Sequence, residues 1–200
     1  MKEIFEIKNK IIIEKMLDEQ EYGTLAICAN NKPYSLPINY VRMGENIYFH
    51  GSKKGRKIDI LKSNCLASFS VVEAYSLIAS YMSSKENLAC PATQFFKSII
   101  IDGHIEFVDD YVEKTRVLES LMQKLQKEGK YKPLDASVYK KAINATTVYK
   151  LVPRELKAKF KFGQHLTQER FNMILGHLRK RGIQKDIQTL KIMQELRDDL

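Results

Sequence analysis

The chain has no tryptophan, only three cysteines and five prolines among 200 residues, and no apolar run approaching the length of a membrane span. Each shortage excludes something. Cys28, Cys65 and Cys90 are odd in number, widely separated, form no CxxC pair and have no histidine at ligand spacing. That argues against a disulfide framework and a structural zinc site, and suits a reducing cytoplasm. The opening residues 1–8 mix charges into their apolar positions, unlike a signal peptide. No stretch has the glycine spacing of a Walker loop or a dinucleotide fingerprint.

What is present suits one domain of ordinary size, or a domain with an appendage: 44% of the residues are hydrophobic. The net charge is +9, from 33 basic and 24 acidic residues. The excess is spread along the chain, concentrated at 53–62, 124–132, 154–161 and 179–185, and reads as solvated faces. A basic balance admits nucleic acid or anionic small molecules, but no recognition helix beside a basic stripe is offered, which argues against DNA.

Ile12, Ile13, Met16 and Leu17 have helical spacing and predict a helix over 9–20. Strands follow at 24–29, 34–42 and from Ile47, separated by the turn signals Asn30–Pro33 and Met43–Asn46. Pro37 cannot donate to a ladder, so its strand is an edge or is bulged. Further strands are expected at 66–75, 96–107 and 146–151, with a long loop at 76–95. In the fifth strand Ile99, Ile101, Ile105 and Phe107 share one face, opposite Ser98, Asp102, His104 and Glu106, with Gly103 marking a bend. Helices are expected at 111–127 and 135–143. Two more close the chain: one capped by Thr167 and ended by Gly182, with Phe171, Ile174, Leu175 and Leu178 inward; the other capped by Asp186, with Ile187, Leu190, Met193 and Leu196 inward.

The most informative stretch is 48–57, Tyr-Phe-His-Gly-Ser-Lys-Lys-Gly-Arg-Lys. A strand opens through two glycines into a helix start carrying four cations, a plausible grip on a phosphate, although a solvated basic turn has the same composition. Cys90 reads as an inert loop thiol, and His104, His165 and His177 as structural or surface residues.

Residues 21–26 (EYGTLA), 32–41 (KPYSLPINYV), the decapeptide 48–57 and 96–103 (FKSIIIDG), in that order, resemble the pyridoxamine 5′-phosphate oxidase-like, FMN-binding split-barrel family, and within it the nitroimidazole-resistance branch. The resemblance covers roughly residues 9–125. Residues 159–164 (KFKFGQ) resemble the C-terminal region of flavin-binding PaiB-like regulators. What this implies is a mainly β, α+β fold, a six-stranded antiparallel split β-barrel over 1–164 with flanking helices. A C-terminal helical pair over 165–200 would pack on the barrel or on a partner. It implies a cytoplasmic homodimer with FMN in two clefts between subunits. By similarity Arg56 and Lys57 hold the FMN phosphate, with Gly55 allowing close approach. Pro37, Ile38, Asn39 and Tyr40 line the isoalloxazine, Ser98 approaches it, and His50 and Gly51 sit beside it. Gln164 reaches the substrate side. His50 is the candidate catalytic residue, as a proton donor to substrate, set against a histidine that only shapes the cleft.

The segment that supplies Arg and His to pyridoxal phosphate in the vitamin-making oxidase is missing here. The expected activity is therefore FMN-dependent reduction of a small organic substrate of the nitroimidazole class, with no metal. Two alternatives are a flavin- or haem-binding PaiB-like regulator without turnover, and a haem-degrading split barrel.

Overall fold

The computed structural model describes residues 2–86 and 88–198; residues 1 and 199–200, at the outer ends of the two expected divisions, and Asn87 of the expected loop lie outside the described residues. In chain order the elements are β1 (Glu6–Ile7), α1 (Lys10–Glu19), β2 (Tyr22–Ala29), β3 (Lys32–Asn39), β4 (Val41–Met43), β5 (Asn46–Gly51), α2 (Arg56–Ser63), β6 (Leu66–Ile78), β7 (Thr93–Val108), α3 (Tyr111–Leu125), α4 (Lys140–Ala145), β8 (Thr147–Lys161), α5 (Gln168–Arg181) and α6 (Gln184–Asp198). This is the expected α+β class. Strand order is β3-β2-β6-β7-β8-β5-β4, with β1 beside β8. The β2 strand pairs antiparallel with β3 and β6, and β5 pairs antiparallel with β4 and β8. Among the described residues no helix is long and apolar enough to cross a membrane.

Eight strands stand where six were expected. The run 34–42 breaks at Tyr40 into β3 and β4, and the two-residue β1 adds an edge beside β8. Tyr40 is fully buried, its ring edge-on to Phe69 at 5.0 Å, and its hydroxyl donates to the Leu17 carbonyl at the end of α1 (2.7 Å). Burying that ring turns the backbone out of the ladder. The largest departure is β8, which runs to Lys161 rather than stopping at 151. Arg154 to Lys157 are all exposed and carry three charges, which hid a strand whose inward alternation resumes at Ala158 and Phe160.

The chain divides into two compact units: residues up to 8, 72–98 and from 158 onward form the first, and 9–71 with 99–157 the second. The expected boundary at 164/165 falls inside the first unit. In the second unit Leu25, Ile27, Ile47, Phe49, Phe69, Ile101 and Leu151 are buried, and α3 lays Val117 and Leu121 on Val41, Tyr48 and Val148. Asn9 and Asp110 cap α1 and α3 with their side chains, satisfying N–H groups that the first turn leaves free. The expected alternation in β7 holds from Ile99 to Ile105. It then slips, so that Phe107 is 36% exposed, lying tilted on Tyr149 at 5.4 Å, and Val108 turns inward instead. The expected helix at 135–143 is a short 3-10 turn at Ser137–Tyr139 leading into α4.

In the first unit Thr167 caps α5 and Gly182 ends it in the left-handed region, as expected. Asp186 does not cap α6. It lies within the first turn, wholly buried, accepting from Ser76 Oγ (2.5 Å) and from Arg181 Nη2 and Nε (2.6 and 2.8 Å). The buried stripe of α6 is consequently Asp186, Thr189 and Met193, and Ile187 is 62% exposed. The expected loop at 76–95 is shorter than expected: β6 continues to Ile78, a 3-10 turn covers Ser80–Met82, and β7 starts at Thr93.

Candidate functional site

The 48–57 stretch forms β5, an exposed turn and the start of α2, all in the second unit. At its hinge Gly55 adopts φ +112°, strained for any L side chain, and a Cβ there would meet open space. Glycine is required for the backbone path, and the path leaves the helix start uncovered. Ser52 to Arg56 are all exposed. Arg56 lays its guanidinium on the Tyr34 ring of β3 (4.4 Å) and, among the described residues, donates once, to the Pro33 carbonyl (3.3 Å). Fixed by the stack, it keeps its other donors for an anion.

Lys57 engages different partners. Its ammonium lies over Tyr149 (4.7 Å) and Phe49 (5.4 Å), two rings stacked 4.9 Å apart, and burial pulls its pKa down. Gly51 makes the room, because a Cβ there would collide with the Lys57 Nζ. His50, next along β5, remains exposed on one side. Desolvation first and the Lys57 ammonium second hold its pKa below the ordinary value, so the imidazole is neutral at pH 7.

The two adjacent cations therefore reach strands far apart in the strand order: Arg56 meets β3, at one end, and Lys57 meets β5 and β8, beside the β4 end. Within the second unit α2 thus touches the β3 edge through Arg56 and the β5–β8 pair through Lys57.

The other expected site residues are placed as follows. Pro37, Ile38 and Asn39 lie on β3 opposite Thr24, Gly23 and Tyr22, at the end of the strand order, where a proline costs no ladder bond. Pro37 and Asn39 are exposed and Ile38 half-buried; the Asn39 amide donates to the Glu21 carbonyl (3.1 Å). Tyr40 can offer a ligand only its backbone, since its side chain is in the core. Ser98 is half-buried on β7 in the first unit, and Gln164 is committed to its own turn, accepting from Phe162 N (2.8 Å) and donating to the Phe160 carbonyl (2.7 Å).

Sequence reasoning missed Tyr149 and Tyr34, the rings that receive Lys57 and Arg56. Each sits in a strand pattern where an aromatic residue reads as core, and only the cross-strand partners β5–β8 and the return of α2 onto β3 give them this use. An open concavity of about 470 Å³ lies beside Arg56, between Lys32, Asp59 and Ser63. Among the described residues no three His, Cys, Asp or Glu side chains are grouped to hold a metal.

Residues 11–160 match the model of the family described as pyridoxamine 5′-phosphate oxidase. Among solved structures, a candidate 5-nitroimidazole antibiotic resistance protein from Bacteroides thetaiotaomicron is similar, with 21% identity over 77% of this chain and 85% of that one, TM-score 0.63. The flavocytochrome Anf3 from Azotobacter vinelandii is 23% identical over 78% of this chain and 69% of that one, TM-score 0.65. A FAD and heme binding protein from Mycobacterium smegmatis is 19% identical over 78% and 73%, TM-score 0.63. At these identities the likeness concerns the fold. No curated protein matches the sequence.

Proposed function

Because the chain belongs to the pyridoxamine 5′-phosphate oxidase family, matched over residues 11–160, we propose that it is a flavin-binding oxidoreductase. It holds FMN by its phosphate at the β5–α2 turn and reduces a small organic substrate of the nitroimidazole class. The observation that carries this reading is the turn itself: a glycine-opened helix start beside a guanidinium that is stacked in place with donors to spare. The structural relatives include a flavocytochrome, a FAD and heme binding protein and a candidate nitroimidazole resistance protein, which supports the cofactor class and the substrate class. The proposal includes a cytoplasmic homodimer with the cofactor between subunits.

When bound, the flavin supplies the electron transfer. The protein's residues do the rest. Arg56 neutralises the phosphate, and the exposed Lys53 and Lys54 raise its local concentration. The backbone of Pro37, Ile38 and Asn39, on an edge strand, would line the ring. Lys57, buried against its rings, sets the potential felt by His50. His50, neutral at pH 7, is poised to hydrogen-bond a substrate polar group and becomes a proton donor only at lower pH.

Titration of the purified protein with FMN, followed by flavin fluorescence, tests the reading. Saturable binding is expected, weaker for riboflavin, which lacks the phosphate. Arg56→Ala should weaken FMN at least tenfold, since a hydrogen bond to a charged group contributes about 1.5–3 kcal/mol. Arg56→Ala should leave riboflavin unchanged. No saturable binding of either flavin, or a haem band with no flavin bound even after FMN is added, would defeat the proposal.

A further inference from the structure

The first unit contains a second basic concavity that the flavin reading does not use. A cavity of about 250 Å³ opens between Cys90 and Thr93 at the start of β7, Lys161 at the end of β8, His165 in the following turn and Arg170 on α5. Its charged and titratable amines and imidazole are all basic, and no Asp or Glu lines it. Among the described residues no carboxylate lies at ion-pair distance from Lys161, His165 or Arg170, whereas Arg42 has two, Glu14 and Asp18, and Arg181 has Asp186.

Neutral groups orient these cations without neutralising them. The Lys161 ammonium donates to Thr93 Oγ1, and Arg170 Nε donates to the carbonyl of the buried Ser83 (2.9 Å). His165 is set edge-on against Phe5 at 5.2 Å. The turn that carries it is fixed by Gly163 at φ +85° and by the two hydrogen bonds of Gln164. The arrangement is thus preorganised and electrostatically incomplete. Burial and neighbouring positive charge depress the pKa of Lys161 and of His165, the latter facing Lys161, Lys2 and Arg170.

We propose that this pocket binds a small oxyanion, the phosphate or carboxylate head of a molecule distinct from the flavin. A negative charge placed beside Lys161 and Arg170 offsets their mutual repulsion and favours the protonated form of the His165 imidazole, all three side chains lining the same cavity. The cavity falls below the roughly 300–1,000 Å³ of sites for drug-sized ligands, so it admits a head group with few further atoms. The charge concentration at 154–161, a solvated face by composition, ends in a binding residue, and His165 is more than a surface histidine.

The test is an NMR titration of the full chain that follows the His165 imidazole, assigned through His165→Asn, with His177, which does not line the pocket, as internal reference. Inorganic phosphate should raise the His165 midpoint by about half a pH unit or more, and sodium chloride at equal ionic strength should not. Succinate in parallel separates a carboxylate site from a phosphoryl site. Lys161→Gln should abolish the shift, as should Arg170→Gln. Since Arg170 also anchors Ser83, Lys161→Gln keeps the test valid if the other variant fails to fold. Arg56→Ala should leave the shift intact, separating this pocket from the flavin turn. An equal response to chloride, a shift that survives Lys161→Gln, or one lost with Arg56→Ala would overturn the proposal.

Discussion

The protonation state a side chain offers at neutral pH is decided by its neighbours, and His50 and Lys124 illustrate two consequences. His50 is desolvated and faces Lys57, so its imidazolium forms only below the ordinary histidine pKa. If it donates the proton, reoxidation of the chemically reduced flavoprotein by a nitroimidazole should accelerate as pH falls below about 6.5. His50→Gln should flatten that limb, and an unchanged profile would remove His50 from proton transfer. Lys124 on α3 lies 3.9 Å from the Tyr40 ring centre and donates to the Leu17 carbonyl (3.0 Å); burial brings its pKa to about 8. In the unfolded chain the same amine titrates near 10.5, so between these values the unfolded state binds more protons and folding is favoured by raising the pH. Tyr40 acts oppositely, because burial raises its phenol and the unfolded phenol ionises first above about pH 10. Urea midpoints should therefore rise from about pH 7.5 to about pH 9.5 and fall beyond. Lys124→Met should shrink the rise, leaving the smaller share of the other depressed amines such as Lys57 and Lys161.

At the level of elements, helices declared themselves through short-range chemistry. The Thr167 and Gly182 boundaries of α5 and the span of α1 were legible because caps and a 3.6-residue stripe are local. Strands that depend on a partner were less so. The later half of β8 was masked by exposed charges, and the slip at Phe107 depends on Tyr149, which belongs to the neighbouring strand. Gly103 was expected at a bend, and its cause is specific: a Cβ there would penetrate the Val152 carbonyl of β8. That obstacle is backbone and cannot rotate away. Gly103→Ala should cost about 2 kcal/mol or more, as overpacking of a closed site does, seen as a lowered denaturation midpoint with the slope unchanged.

For the molecule as a whole, the family and the α+β class could be read from ordered sequence blocks, and the position of the 48–57 turn at a helix start followed from its glycines. The use made of each cation could not, because Arg56 and Lys57 are sequence neighbours that find partners on strands far apart in the strand order. Nor could the role of Asp186, whose partner Ser76 is 110 residues away. This carboxylate holds α6 and the end of α5 to β6 within the first unit. Asp186→Ala leaves the buried Ser76 hydroxyl without its acceptor and Arg181 with the Leu77 carbonyl but no carboxylate, and should destabilise by about 3 kcal/mol. The Arg181 guanidinium first, and the Ser76 hydroxyl after it, hold its pKa below the usual carboxylate value. Its contribution is therefore present above about pH 4 and lost as pH falls through the lowered value. Thermal melts of the wild type and of Asp186→Ala should converge in acid, and a constant gap would refute the assignment.

The contact of α2 with both β3 and β5 makes this short helix a clasp across a seam in the sheet. An anion drawn to the start of α2 would tighten the clasp, and thermodynamic reciprocity requires that loosening β3 weaken the anion's hold. Amide exchange along β3 should then slow when FMN is added and quicken in Arg56→Ala, so that a strand edge records the occupancy of the turn.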